Sequence, residues 1–276
     1  LVRNYPHVPG VDFSGVVEAS ASKKFKPGDR VVLNGWRVGE TRWGGYAAKA
    51  RVESGWLVPL PDDISNEQAM AIGTAGYTAM LAIMALENHG LSPDIPGEVL
   101  VTGASGGVGS IAISLLSNLG YGVAASTGRE ETHSYLERLG ASSIVNRAEL
   151  EAPLKGPLGR ENWVGAIDNV GGVILGNLLA TIKAGGNCAA VGLAASHELN
   201  SSVMPFLLRG ISLLGIDSVM CPLEHRQIAW DRLSRELPRN KLAEISHVVP
   251  LSGISDYAGK ILGGEVKGRI VVDVHA

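Results

Sequence analysis

At 276 residues, 45% hydrophobic and 18% charged, the chain is long enough for two domains with sizeable cores and lacks the composition of a disordered polymer. Its 24 Lys and Arg against 27 Asp and Glu leave a net charge of -3, which excludes the basic field that recruits nucleic acid without sequence preference. Two cysteines, Cys188 and Cys221, are too few for a disulfide framework and point to a reducing cytosol, and neither a membrane-length apolar run nor a secretory leader is read. The chain opens on Leu1 rather than Met, so an upstream portion is expected.

From Pro9 to Leu60 the pattern is short and β-like, with strands predicted at Val11 to Val17, Asp29 to Leu33 and Gly45 to Val52. Lys-Pro-Gly-Asp and Gly-Trp-Arg-Val-Gly turns separate them, as in part of a small antiparallel domain. Ser65, followed by Glu67 and Gln68, opens a long helical run, broken at Gly73 and Gly76 and ending near His89-Gly90. Pro93, Pro96 and Gly97 then lead into a strand at Val99, which puts a domain boundary near residue 72. Beyond it, strands at Gly122 to Ser126, Ser143 to Val145, Ala166 to Val170, Cys188 to Val191 and Ser212 to Asp217 alternate with helices at Glu130 to Leu139 and Val173 to Ile182. Apolar strands alternating with helices predict an α/β fold, a doubly wound parallel sheet of Rossmann type. After Pro222, a charged helix at Glu224 to Leu237, strands at Ile245 to Leu251 and Arg269 to Val274, and a short helix between them return to the first domain.

The most informative stretch is Glu98 to Ala112, EVLVTGASGGVGSIA. Gly107, Gly109 and Ala112 stand at the spacing G-x-G-x-x-A, between the apolar run Val99, Leu100, Val101 and the helical pattern Ile111, Ile113, Leu115, Leu116. Strand, turn and helix in that order form a pyrophosphate cradle, where a missing side chain at Gly109 lets the phosphate approach and the helix N-terminus faces its charge. Ser105, Gly106 and Val108 belong to the same phosphate loop, and Ser105 lacks the surroundings of a nucleophile elbow. A glycine triplet without such flanks is as often an ordinary turn.

The end of the second strand selects the nucleotide. An NAD site wants a carboxylate there, but this chain has Ser126-Thr127-Gly128-Arg129, whose hydroxyls and guanidinium suit a 2′-phosphate. NADPH is therefore the expected cofactor. The alternative for Arg129 is an exposed arginine at a helix start, where it would oppose the helix dipole. Arg147, after the next strand, could cover the adenine or the same phosphate, or be a plain surface residue.

Metal ligands are not gathered. Cys188 and Cys221 are isolated, Cys188 reads as a small core residue, and the seven histidines form no H-E-x-x-H or similar pair, so a metal-free mechanism is expected. Asp12, inside an apolar strand pattern, needs a partner or a site role, with a structural ion pair equally open. Thr74 and Thr78 could touch phosphate or nicotinamide, or simply pack. Arg226, Arg232, Arg235 and Arg239 read as a solvated helical face.

Over essentially the whole chain, PGVDFSGVV, KPGDRVV, WGGYAAKARV, IGTAGYTAM, VTGASGGVG, STGR, DNVGG and PFLLRGISLLGIDSV resemble segments of the zinc-free medium-chain dehydrogenase/reductase superfamily. Within it the resemblance is to the quinone-oxidoreductase-like group that contains bacterial acryloyl-CoA reductases. Val11 stands where zinc alcohol dehydrogenases of the superfamily carry a ligand histidine, and their four-cysteine lobe is missing.

The resemblance implies a β-rich, partly antiparallel GroES-like catalytic domain at residues 1–71, an NADP-binding domain at 72–218, and a C-terminal return at 219–276. It also implies NADPH-dependent reduction of acryloyl-CoA to propanoyl-CoA, in the cytoplasm and as a homodimer. Hydride would reach the β-carbon, with enolate charge developing on the thioester oxygen. Asp12 would organise the pocket and Arg269 would donate to cofactor or acyl oxygen. Asn169 of DNVGG would contact the cofactor, and Gly192-Leu193 and Ile216-Asp217-Ser218 would flank the nicotinamide. The family's Asn-Tyr catalytic segment is expected upstream of Leu1, which leaves the proton donor unassigned. The alternatives are an NADPH:quinone oxidoreductase and a non-catalytic NADPH-binding protein.

Overall fold

The computed structural model describes residues 2–276. It has two compact units. The first comprises the chain up to Tyr77, Asp217–Arg235 and Leu242–Ala276; the second comprises Thr78–Ile216 and Glu236–Lys241.

In the first unit, β1 (Asp12–Val16) pairs antiparallel with β2 (Arg30–Asn34), which pairs antiparallel with the short β3 (Val58–Pro59). The register sets Asp12 opposite Asn34 and Phe13 opposite Leu33. The Lys-Pro-Gly-Asp turn closes as its residue types require: Gly28 takes a φ of 96°, and the Asp29 carboxylate accepts from the Lys26 amide at 2.8 Å. The strand expected over Gly45 to Val52 does not form. The amides of Gly44, Gly45 and Tyr46 donate instead to carbonyls of Val8, Gly10 and Pro9, in an irregular crossing rather than a ladder. Gly44 and Gly45 permit that approach, because Cβ atoms there would stand 2.3 Å from the Pro9 oxygen and 2.5 Å from the Asp12 oxygen.

α1 (Asn66–Asn88) starts with a reciprocal cap: Ser65 Oγ accepts from the Gln68 amide at 3.1 Å, and Gln68 Oε1 accepts from the Ser65 amide at 3.0 Å. Gly73 leaves helical geometry at φ 49°, ψ -159° and kinks the helix, whereas Gly76, the other expected break, stays helical. Contrary to the sequence reading, α1 is long and apolar enough to cross a membrane, but 78% of its apolar window is buried inside the protein, as in a core helix.

In the second unit the chain alternates β4 (Glu98–Val101), α2 (Gly107–Asn118), β5 (Gly122–Thr127), α3 (His133–Leu139), β6 (Ser143–Asn146), α4 (Arg147–Glu151), β7 (Trp163–Asp168), α5 (Gly172–Leu179), β8 (Ile182–Ala190), α6 (Met204–Arg209) and β9 (Ser212–Gly215). The six strands make one parallel sheet in the order β6-β5-β4-β7-β8-β9. Strand order therefore reverses between β4 and β7, and sheets of this kind take ligands outside the carboxyl ends of the strands at such a point. Val99, Leu100, Val101, Ile111, Ile113, Leu115, Leu116 and Val123 are fully buried, which accounts for the unbroken apolar runs. β8 starts six residues before the strand expected at Cys188, because its register jumps between Trp163↔Ile182 and Gly165↔Asn187 across the Gly185-Gly186 irregularity.

The remaining elements are α7 (Leu223–Glu236), α8 (Arg239–Ile245), β10 (Ser246–Pro250), α9 (Ile254–Leu262) and β11 (Arg269–Asp273). β10 and β11 pair in parallel as a separate two-stranded sheet.

Candidate functional site

The first cluster lies in the second unit, around the carboxyl ends of β4, β5 and β7. β4 ends at Val101 and turns through Gly103 (φ 57°) into α2, whose N-cap is Gly106 with no side-chain cap. The first-turn amides of Gly107, Val108 and Gly109 have no partner within the helix, the donor pattern that suits an anion. The role expected for Gly109 needs correction. Its absent side chain does not open the backbone to a ligand, because a Cβ there would stand 2.5 Å from the Gly103 oxygen and 2.7 Å from Ala104 Cα. Gly109 lets the helix press on its own turn.

Beside this turn, Arg129 Nη2 donates to Ser105 Oγ at 2.7 Å, which draws the guanidinium from the end of β5 across to the glycine loop. Thr127 Oγ1 accepts from the Arg129 amide at 3.1 Å and lies 3.1 Å from Thr132 Oγ1, so this buried hydroxyl organises the loop. Ser126 is also buried and its carbonyl accepts from the Ala104 amide. The Arg147 guanidinium lies against Gly128, where a Cβ would be 3.4 Å from both Cζ and Nε, while Glu151 pairs with its Nε at 3.3 Å. Two guanidinium groups and a hydroxyl-bearing turn thus surround the end of β5. That donor set fits a phosphate ester better than a ribose hydroxyl, which would need an acceptor.

The crevice floor is built on Asp168. It is fully buried, and its carboxylate accepts from the Thr102 hydroxyl at 2.6 Å and the Gly171 amide at 2.8 Å. Burial raises its pKa above the usual carboxylate value, and the hydrogen bonds from Thr102, Gly171 and Val170 oppose the rise. Asn169 Nδ2 donates to the Thr102 carbonyl at 2.7 Å, and its amide donates to Thr102 Oγ1 at 3.0 Å, so β4 and β7 are tied at their ends. Gly192 is required by close packing, because a Cβ there would stand 2.6 Å from the Asn169 oxygen. Leu193 beside it is exposed, as an apolar contact for a ligand ring would be. The Ile216 amide donates to the Ala190 carbonyl at 3.1 Å. Thr78 is buried in α1.

The second cluster lies in the first unit. Asp12 Oδ2 accepts from the Thr74 amide at 2.6 Å, which supplies the partner its apolar strand demanded. Thr74 immediately follows the Gly73 kink. A Cβ on Gly73 would lie 2.5 Å from Arg269 Nη2 and 3.0 Å from Asp12 Oδ2, so only glycine lets these two charged groups close over the backbone. Arg269 Nε donates to the Ala71 carbonyl at 3.2 Å. The sequence reading did not single out Tyr46, which faces the same groups: burial and then the Asp12 charge raise its pKa, and Arg269 opposes them. The only hint was an aromatic inside WGGYAAKARV.

The corner after β9 is held by Arg226, which is 1% exposed and therefore not part of a solvated face. Its Nε donates to Cys221 O, Nη1 to Asn34 O, and Nη2 to Ser218 O and Val219 O. Its Cζ lies 4.4 Å from the centre of the Trp36 ring and 5.4 Å from that of Tyr77. Asp217 Oδ1 accepts from the amides of Val219 and Met220 at 2.9 and 3.0 Å. Cys188 and Cys221 are buried free thiols, and burial pushes the Cys188 thiol well above its ordinary pKa. Among the described residues no three His, Cys, Asp or Glu side chains gather as a metal site would require.

Two family models match the chain: an alcohol dehydrogenase GroES-like domain over residues 1–62 and a zinc-binding dehydrogenase over residues 107–235. The acrylyl-CoA reductase AcuI of Ruegeria pomeroyi is 56% identical over 276 residues, covering 100% of this chain and 83% of the relative. The putative quinone oxidoreductase YhfP of Bacillus subtilis is 44% identical, covering 99% of this chain and 82% of the relative. The crystal structure of the yhdH oxidoreductase from Salmonella enterica in complex with NADP superposes with a TM-score of 0.96 at 48% identity, covering 99% of this chain and 83% of that one. The chain belongs to the medium-chain dehydrogenase/reductase superfamily, in the branch that holds these acrylyl-CoA reductase and quinone oxidoreductase-like proteins.

Proposed function

We propose that the chain is an NADPH-dependent reductase that converts acryloyl-CoA to propanoyl-CoA. The observation that carries the reading is the pair of guanidinium groups, Arg129 and Arg147, at the β5 end, where Arg129 is hydrogen-bonded to Ser105 of the glycine turn. It is supported by the 56% identity to the AcuI reductase and by the NADP complex of the 48% identical structure. When bound, NADPH supplies the hydride. The first-turn amides of Gly107, Val108 and Gly109 hold its pyrophosphate, and Arg129 with Arg147 holds the 2′-phosphate. Gly192, Leu193 and the Ile216–Ser218 segment bound the nicotinamide, and Asn169 and Thr78 complete the cofactor contacts. In the first unit, Arg269 stabilises negative charge on the acyl oxygen, and Asp12 holds the chain at Thr74 against that position.

In this reading residues 72–218 form the cofactor domain, while 1–71 and 219–276 form the catalytic domain. A zinc-binding dehydrogenase model matches the chain, yet its donors do not fit a zinc centre: Cys188 and Cys221 are buried free thiols, and among the described residues neither belongs to a three-ligand group. Two free thiols suit a reducing cytoplasm. The exposed Val203, Leu207 and Leu208 around α6, with β9 at a sheet edge, suit a homodimer.

Steady-state NADPH oxidation with acryloyl-CoA, beside simple quinones, tests the reading. Faster turnover of the thioester is expected. Comparable or faster turnover of quinones would replace it with quinone reduction, which the 44% identity to YhfP favours. Tight NADPH binding without oxidation by any acceptor would leave a binding protein.

A further inference from the structure

The most deeply buried charge in the first unit has no place in that chemistry, and its contacts show what it does. Each hydrogen bond that Arg226 makes ends on a backbone carbonyl, three of them in the corner Ser218–Cys221 and one at Asn34, the last residue of β2. The three in the corner lie outside helix and strand, and without Arg226 the Ser218 and Cys221 carbonyls would lose the donor that the guanidinium supplies. The amides of the same corner are taken by Asp217, and the Trp36 amide donates to the Val219 carbonyl at 2.9 Å. Two side chains therefore satisfy a backbone that no regular element supports.

The other end of the contact network reaches the Asp12 cluster. Asn34 stands opposite Asp12 in the β1–β2 register, accepts at Oδ1 from Trp230 Nε1 at 3.0 Å, and lies 3.5 Å through Nδ2 from Thr74 Oγ1. Thr74 is the residue whose amide holds Asp12. Close packing enforces the junction as well: Gly35 has a φ of 74°, and a Cβ there would stand 2.6 Å from the Val219 oxygen and 3.0 Å from the Ser218 oxygen.

We propose that Arg226 is a positioning residue, a buried guanidinium clamp that fixes the Asp217–Ser218 corner at the nicotinamide end of the cofactor in register with Asp12 and Thr74. This deepens the functional reading above and rests on it. A guanidinium is needed because a planar fork can serve four carbonyls at once with its Cζ over the Trp36 ring; an ammonium is a point charge on a flexible stem and cannot.

The test compares Arg226→Lys and Arg226→Met with the unchanged protein. It measures kcat with acryloyl-CoA, NADPH affinity, and the affinity of 2′,5′-ADP, which carries the phosphates but no nicotinamide. Both variants are expected to lose about 100-fold in kcat, the cost of an ångström-scale misplacement, with weaker NADPH binding and unchanged 2′,5′-ADP binding. Lysine is expected to rescue neither quantity. If the Arg226 variants do not fold, Gly35→Ala, which displaces Val219 and keeps the cation, must give the same split. Folded variants with unchanged kcat and NADPH affinity, or an equal loss of NADPH and 2′,5′-ADP, would overturn the clamp alone. An unchanged protein that neither binds NADPH nor reduces acryloyl-CoA would overturn the functional reading and the clamp with it.

Discussion

The glycine turn after β4 and the Arg226 corner after β9 are both irregular backbone beside regular elements, and they solve opposite problems. The turn leaves amides open at the start of α2 and closes its rear with main-chain packing of Gly109 on Gly103 and Ala104. The corner is tied down by side chains: three of its carbonyls accept from Arg226 and two of its amides donate to Asp217. Backbone that is to receive a ligand stays unpaired toward solvent, whereas backbone that is to hold position is saturated by side chains.

Gly109→Val strikes the turn hardest. A branched side chain placed 2.5 Å from the Gly103 oxygen must push the helix off the turn. About 3 kcal/mol of stability and all measurable NADPH binding should go, read by thermal melting and cofactor titration. Retention of both would show that the turn is not closed as described. Arg129→Asp probes the same region without moving backbone. Placing a carboxylate beside the phosphate donors should weaken NADPH about 100-fold and NADH only a few-fold, in paired titrations. An unchanged preference would remove the β5 end from nucleotide selection.

Asp12→Asn keeps an acceptor for the Thr74 amide but removes the charge. Stability should fall by about 1 kcal/mol, with kcat falling further than cofactor affinity. Equal effects on both would make Asp12 purely structural. The smallest effect concerns Asp168. Its pKa is raised by burial above the ordinary 3.8, so the folded state binds the proton more tightly than the unfolded one. Its contribution to stability is therefore greatest in acid and declines as pH rises from 3.8 through the folded value. Asp168→Asn should flatten that decline in urea melts across the acid range, and an unaltered slope would assign it to other groups.

The same contrast explains what could be read from residues alone. The turn is local: Val99 to Leu116 carries its strand, loop and helix in sequence, and the parallel sheet follows from apolar runs that are buried on both faces. Arg226 takes its meaning from Asn34, Trp36 and Tyr77, which lie far away in the chain. A charged stretch with arginines at 226, 232, 235 and 239 has the pattern of a solvated face, and only tertiary packing shows that Arg226 points inward. The irregular crossing at Gly44–Tyr46 was hidden for the same reason, since its partners at Val8, Pro9 and Gly10 are themselves irregular. Short helices such as α4, α6 and α8 carry too few turns for a periodic signal. Asp12 was legible as a residue in need of a partner; that the partner would be a main-chain amide freed by a glycine kink was not.

That kink gives α1 two beginnings. The first, at Ser65, is capped by Gln68 three residues on, and a short peptide carries everything it requires. The second, at Thr74, is capped by Asp12, 62 residues away in a strand. The downstream part of the helix therefore draws its N-terminal cap from β1, which couples helix to strand. Amide exchange at Thr74 becomes a direct report on whether that strand is in place.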